Sequence, residues 1–136
     1  MGGEFSIRVY GVPAPQGSKK NVGHGIMVEM SKKVKPWRDA VSWAVIEKRG
    51  GDPQRCRATG AVEVNITFFL KAPKKKKTKF PTTRPDVDKL TRSTFDSLTT
   101  VGAIEDDSNV VHLSAWKVYE DEVERQGALI TVKEMP

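Results

Sequence analysis

The chain has 136 residues, 38% of them hydrophobic, with a formal net charge of +6. That length builds one compact domain, residues 1–136, and leaves little room for a second. A lone cysteine, Cys56, excludes an internal disulfide and a cysteine-built zinc cluster, no apolar run approaches the roughly 20 residues of a membrane span, and the basic balance admits a polyanionic partner without proving one.

From the N-terminus, MGGEFSIRVYG lacks the basic start and apolar run of a secretory signal, so a soluble, cytoplasmic protein is expected. Phe5–Tyr10 alternates apolar and polar residues and predicts a half-buried strand. Residues 11–25, rich in Gly, Pro, Ser and Lys, predict a loop, and residues 25–30 a short second strand. Pro36 suits the first turn of a helix over 35–49, whose apolar positions Trp37, Ala40, Val41, Ala44 and Val45 recur at helical spacing and which Gly50-Gly51 ends. Residues 61–70 alternate Val62, Val64, Ile66 and Phe68 and predict a core strand, followed by a basic loop over 71–84. A second helix is expected over 87–99, stopped by Gly102. Strands over 109–119 and 126–133, joined by the polar turn 120–126, read as a hairpin. The order β-β-α-β-α-β-β predicts an α+β domain with two main helices on a mixed sheet.

Residues 71–92 hold the densest charge. Nine basic residues there (Lys71, Lys74, Lys75, Lys76, Lys77, Lys79, Arg84, Lys89 and Arg92) face only Asp86 and Asp88, a local balance of +7. Clustered lysines attract a polyanion and clustered carboxylates repel one unless they hold a divalent cation, so the two together point to metal-dependent chemistry on a phosphate backbone. Asp86 and Asp88 lie two residues apart, which on a regular helix sends them to nearly opposite sides at about 100° per residue. They reach one site only if Asp86 keeps an extended or capping geometry, and Pro85 favours a helix start just after it. Asp106 and Asp107 follow one helix length later, and spacing alone does not bring them back. Capping, the helix dipole, the i,i+4 pairs Asp88–Arg92 and Arg92–Asp96, and an ordinary turn at 106–108 account for the same acids without any metal.

The segment RPDVDKLTRSTFDSLTTVGAIEDDSNVVHLSAWK resembles the RusA family of Holliday junction resolvases. Several spaced elements agree in order: Pro-Asp-x-Asp, a Leu two residues on, Asp-Ser-Leu, a Gly-containing loop, and Asp-Asp-Ser before an apolar strand. VPAPQGSKK, the helix carrying WRDAV and the last strand, ALITV, agree more weakly. The resemblance implies a homodimeric, Mg²⁺-dependent endodeoxyribonuclease, with Mn²⁺ as an alternative ion. It would resolve four-way junctions by paired symmetric nicks in DNA recombination and repair, in a bacterial cell or a phage-infected host. Asp86, Asp88 and Asp107 match the family's metal-binding acids and Asp106 the acid beside the last of them. Arg92 stands where the family has a catalytic lysine, and Lys89 where it has asparagine. Arginine keeps the charge and grips phosphate in a planar fork, but is a poor proton donor. The cationic helper is therefore either Arg92 or Lys89.

Lys19, Lys20, Lys74, Lys75, Lys76, Lys77, Lys79, Arg84 and Lys89 are the expected DNA contacts. The acidic turn at Glu120, Asp121, Glu122 and Glu124 is expected to face away from DNA. Trp37 and Trp43 suit the core or a dimer interface, and Trp116 is expected to be packed. His24 and His112 lack a spaced partner and are not read as metal ligands. Two alternatives stay open: a nuclease for flaps or forks, and a junction-binding protein without catalysis.

Overall fold

A computed structural model describes residues 3–17, 24–75 and 78–136, with the side chains of 24–31 excepted. Strand β1 (Glu4–Tyr10) leads to a long helix α1 (His24–Arg49), then β2 (Val62–Leu70), α2 (Val87–Thr100), a 3₁₀ turn (Asp107–Asn109), β3 (Val110–Tyr119) and β4 (Gly127–Glu134). The strands form one mixed sheet in the order β1-β4-β2-β3, with β4 antiparallel to both β1 and β2, and β2 parallel to β3. The α+β class and the two main helices agree with the expectation from the sequence.

Three local expectations change. Residues 25–30 are helical, not a strand, and Pro36 lies inside α1 and not in its first turn. The segment from Met27 to Lys33 is dominated by Met, Glu and Lys, which favour helix, and has few β-branched residues to hold a strand. Nor do β3 and β4 form a hairpin: β4 inserts between β1 and β2, and β3 lies at the sheet edge beside β2. A parallel neighbour needs a crossover, and α2 is the crossover that links β2 to β3.

One face of the sheet is the core wall. Ile7, Ile130 and Ile66 pair across three strands, as do Val9, Ala128 and Phe68, and all six are buried. Against this wall α1 packs Trp37, Val41 and Val45, while α2 packs Leu90 and Leu98, each no more than 1% exposed. The buried face of α2 is otherwise built of small hydroxyl residues, and each finds a partner, as burial requires. Ser93 Oγ donates to the Ala14 carbonyl, Ser97 Oγ to that of Arg38, and Thr94 Oγ1 accepts from Trp37 Nε1. Gly102 (φ +76°) stops α2 as expected. Its N–H reaches the Thr99 carbonyl and the Ala103 N–H that of Leu98, the paired bonds of a Schellman end.

Of the three tryptophans, Trp116 misses its expected packed place and Trp43 is not in the core. Trp37 is a core residue, but Trp43 is 66% exposed and Trp116 57% exposed. Trp116 pairs with Thr67 on the sheet face turned away from the core, where the Phe80 ring lies 6.3 Å away. No helix among the described residues is long and apolar enough to cross a membrane.

Candidate metal and nucleic-acid site

The site is assembled at the N-terminus of α2. Asp86 is the residue that caps it, with φ −75° and ψ 140°, an extended conformation, and its carboxylate makes no capping hydrogen bond. The backbone carbonyl of Asp86 begins the helix by accepting from the Leu90 N–H, which leaves the side chain free to turn elsewhere. It turns toward Lys89. The Lys89 ammonium lies 3.3 Å from Asp86 Oδ2 and 3.8 Å from Asp88 Oδ2, so both carboxylates face one cation. The half-turn separation expected of a helical i,i+2 pair is removed because Asp86 is not helical. Neither acid is buried, with side chains 54% and 76% exposed.

Two flanking segments hold this helix start. Lys117, on β3, donates to the Thr83 carbonyl at 2.8 Å and to the Pro85 carbonyl at 2.9 Å, clamping the backbone that leads into Asp86. The loop after β1 is tied to α2 by the Gln16 N–H, which reaches the Lys89 carbonyl at 3.0 Å, and by the Ser93–Ala14 bond. Sequence reasoning missed Lys117. Its signal was a lysine within a strand, which is meaningful only once β3 is known to run past the start of α2.

Asp107 does not join the pair. Its Oδ1 accepts from Thr99 Oγ1 at 2.5 Å, and Thr99 sits in the last turn of α2. From Val87 to Thr99 a helix rises about 18 Å, so Asp107 stands at the opposite end of α2 from Asp86 and Asp88. Among the described residues no group of three or more His, Cys, Asp and Glu is placed to hold a metal ion. Asp106 is committed to its own turn, accepting from the Ser108 N–H at 2.9 Å and from its hydroxyl at 2.5 Å. These bonds, the hydroxyl's first, hold its carboxyl below the usual aspartate value.

Of the surface pairs along α2, the i,i+3 pair Asp86–Lys89 forms and the two expected i,i+4 pairs through Arg92 do not, among the described residues. Arg92 is exposed and, among the described residues, pairs with neither Asp88 nor Asp96. Lys74, Lys75, Lys79 and Arg84 are likewise exposed and free of acidic partners among the described residues. Lys79 lies 5.8 Å from the Phe80 ring. Lys19, Lys20, Lys76 and Lys77 lie outside the described residues. Of the acidic turn, Glu120 accepts from the Ala72 N–H at the root of the basic loop and pairs with Arg125, while Glu124 pairs with Arg8. His112 pairs with Glu63 on the surface.

An extended acid before a helix and a second acid in its first turn, with basic residues on either side in the chain that lack acidic partners among the described residues, form the arrangement that the Pro-Asp-x-Asp motif encodes. The family model described as endodeoxyribonuclease RusA matches residues 10–132. The chain belongs to the RusA family. Membership makes it an endodeoxyribonuclease of DNA recombination and, in general terms, a user of divalent metal. A comparison with individually curated proteins finds no match. For a RusA-type chain the donor set at the start of α2 fits a hard cation. Two carboxylates converge on a position already occupied by positive charge, and Mg²⁺ commonly takes one or two carboxylates with water and phosphate completing its shell.

Proposed function

We propose that the protein resolves four-way DNA junctions as a homodimer, using Mg²⁺ held in part by Asp86 and Asp88. Flaps and forks are the competing substrates. The observation that carries the reading is the convergence of both carboxylates on one cation position at a helix start, with exposed basic side chains before and after them in the chain. A divalent ion bound there supplies Lewis-acid polarisation of the phosphodiester and a lowered pKa for an attacking water. The chain's own groups do the rest. Lys74, Lys75, Lys79 and Arg84 bind flanking phosphates, with Lys19, Lys20, Lys76 and Lys77 as further contacts. Arg92, one turn beyond Asp88 and unpaired, offers a fork of N–H donors to the negative charge that grows on the phosphoryl oxygens.

The third acid comes from the other protomer. Asp107 lies about one helix length from the pair, at the start of β3, while Lys117, near the end of β3, clamps the pair's backbone. β3 is a sheet edge with exposed Val111 and Leu113. Antiparallel pairing of two such edges about a two-fold axis brings the start of each β3 toward the end of the other. Asp107 of the partner subunit then approaches Asp86 and Asp88. The same symmetry sets two sites on two opposed strands, as paired nicking requires.

The test is complementation. D88N and D107N proteins, each inactive alone, are mixed, allowed to exchange subunits and assayed on a labelled four-way junction with Mg²⁺ and with EDTA. A shared site leaves one intact site in each mixed dimer and restores single, Mg²⁺-dependent nicks. Sites contained within one chain leave every mixed dimer inactive, and that result refutes the shared site. Nicking of linear duplex as fast as of the junction refutes the resolvase reading.

A further inference from the structure

We propose that Lys89 is a built-in counter-cation: it occupies the Asp86–Asp88 pair before metal arrives, and DNA phosphate draws it away. The inference rests on the reading of Asp86 and Asp88 as metal ligands. Lys89 is, among the described residues, the one cation within ion-pair distance of either acid, at 3.3 Å and 3.8 Å. Its side chain is 34% exposed, against 80% for the surface lysine Lys35, so it lies partly covered beside the pair. The Gln16 N–H to Lys89 carbonyl bond fixes the backbone from which it springs.

An ammonium and a divalent ion seek the same carboxylate oxygens. With Lys89 in place the pair carries a single net negative charge in place of a double one, which weakens its attraction for a divalent ion. The ammonium is also tethered, so its effective concentration at the pair stays high whatever the solution contains. An asparagine at this position would have no charge with which to compete. A lysine is a point charge on a flexible stem, and a DNA phosphate beside the pair is a rival anion within its sweep. Phosphate that takes the ammonium frees the carboxylates. By reciprocity, metal at the carboxylates frees the ammonium for phosphate. Metal loading and DNA binding therefore favour each other in this chain, and the free protein stays poorly loaded.

Mn²⁺ binding to the full-length protein without DNA, read by electron paramagnetic resonance of the free ion, tests the first half. K89N and K89Q are expected to bind Mn²⁺ about fivefold to a hundredfold more tightly than wild type, and D86N/D88N to lose the site. Unchanged or weaker binding in both Lys89 variants, with loss in D86N/D88N, overturns the counter-cation. Retained Mn²⁺ binding in D86N/D88N overturns the metal-pair reading itself, and this proposal with it. Fluorescence anisotropy of junction binding in EDTA and in Ca²⁺ tests the release. Ca²⁺ is expected to tighten junction binding more in wild type than in K89N, and an equal gain in both overturns the step in which phosphate draws Lys89 away.

Discussion

Replacing Lys117 with methionine keeps the length of the stem and removes the clamp on the backbone before Asp86. Two hydrogen bonds are lost, to the Thr83 carbonyl at 2.8 Å and the Pro85 carbonyl at 2.9 Å. A bond from a charged donor contributes about 1.5–3 kcal/mol net. The Thr83 bond is exposed and water replaces most of it, whereas the Pro85 bond is partly buried. One bond's worth, about 2 kcal/mol, is therefore the expected loss of stability. For a domain of this size that lowers Tm by roughly 5–10 °C. The effect on turnover is separate. Asp86, the proposed metal ligand, is positioned by an extended backbone that Lys117 ties to the sheet, and a 1 Å misplacement of such a group costs about a hundredfold. K117M is expected to lose about tenfold to a hundredfold in kcat on a four-way junction, with KM moving much less. The assay is single-turnover nicking well below the Tm of the variant, checked by circular dichroism. A folded K117M with wild-type kcat refutes the reasoning, because the clamp would then contribute to stability alone.

Other variants separate binding, catalysis and folding. D88N is expected to lower nicking at least a hundredfold, on the order seen when a catalytic group is lost, while junction affinity measured by gel shift holds or rises, since negative charge leaves and every lysine stays. Removing Lys74, Lys75 and Lys79 together is expected to flatten the plot of log affinity against log salt by about 2–3, near one unit per phosphate contact, and an unchanged slope would remove this loop from the interface. At Gly127 (φ +149°) an added Cβ would sit 1.9 Å from the Val9 carbonyl oxygen, so G127A is expected to cost at least about 3 kcal/mol in urea denaturation through strain and β1–β4 separation. Acid should destabilise the fold. The His112 hydrogen bond holds Glu63, and the Thr59 N–H followed by the Gly3 N–H holds Glu134, below the usual glutamate value of 4.5. As with Asp106, the unfolded chain then binds more protons, so these contributions are complete above that value and fade as pH falls through the lower folded values. In Tm measured against pH, E134Q, which cannot titrate, is expected to show a shallower acid limb than wild type.

The comparison of sequence with structure divides by the range of the forces involved. Local signals were legible. The alternation of Val62, Val64, Ile66 and Phe68 marked a strand that is buried at all four positions. Gly102 marked the end of α2, and Pro85 marked a helix start with Asp86 still extended. The same locality misled at Pro36: proline at a first turn is the common case, yet here helix precedes it for twelve residues from His24. The family, too, was legible, because a motif with several spaced elements is a linear signal and the model of that family matches residues 10–132.

Sequence order by itself determined that the chain is one basic α+β domain, that Asp86 and Asp88 share a helix start and that lysines crowd beside them. Each of these depends on neighbours within a few residues, where backbone geometry and side-chain spacing leave few choices. Tertiary structure alone decided that β4 inserts between β1 and β2, that Lys117 reaches back to clamp Pro85 and that Asp107 ends at the far end of α2. The first two placements follow from which apolar faces bury one another across more than thirty residues, whereas Asp107 stays beside Thr99, eight residues back. Chain spacing does not encode that choice, because β3 and β4 are both apolar enough to sit inside the sheet or at its edge, and only the competition for the faces of β2 assigns their places.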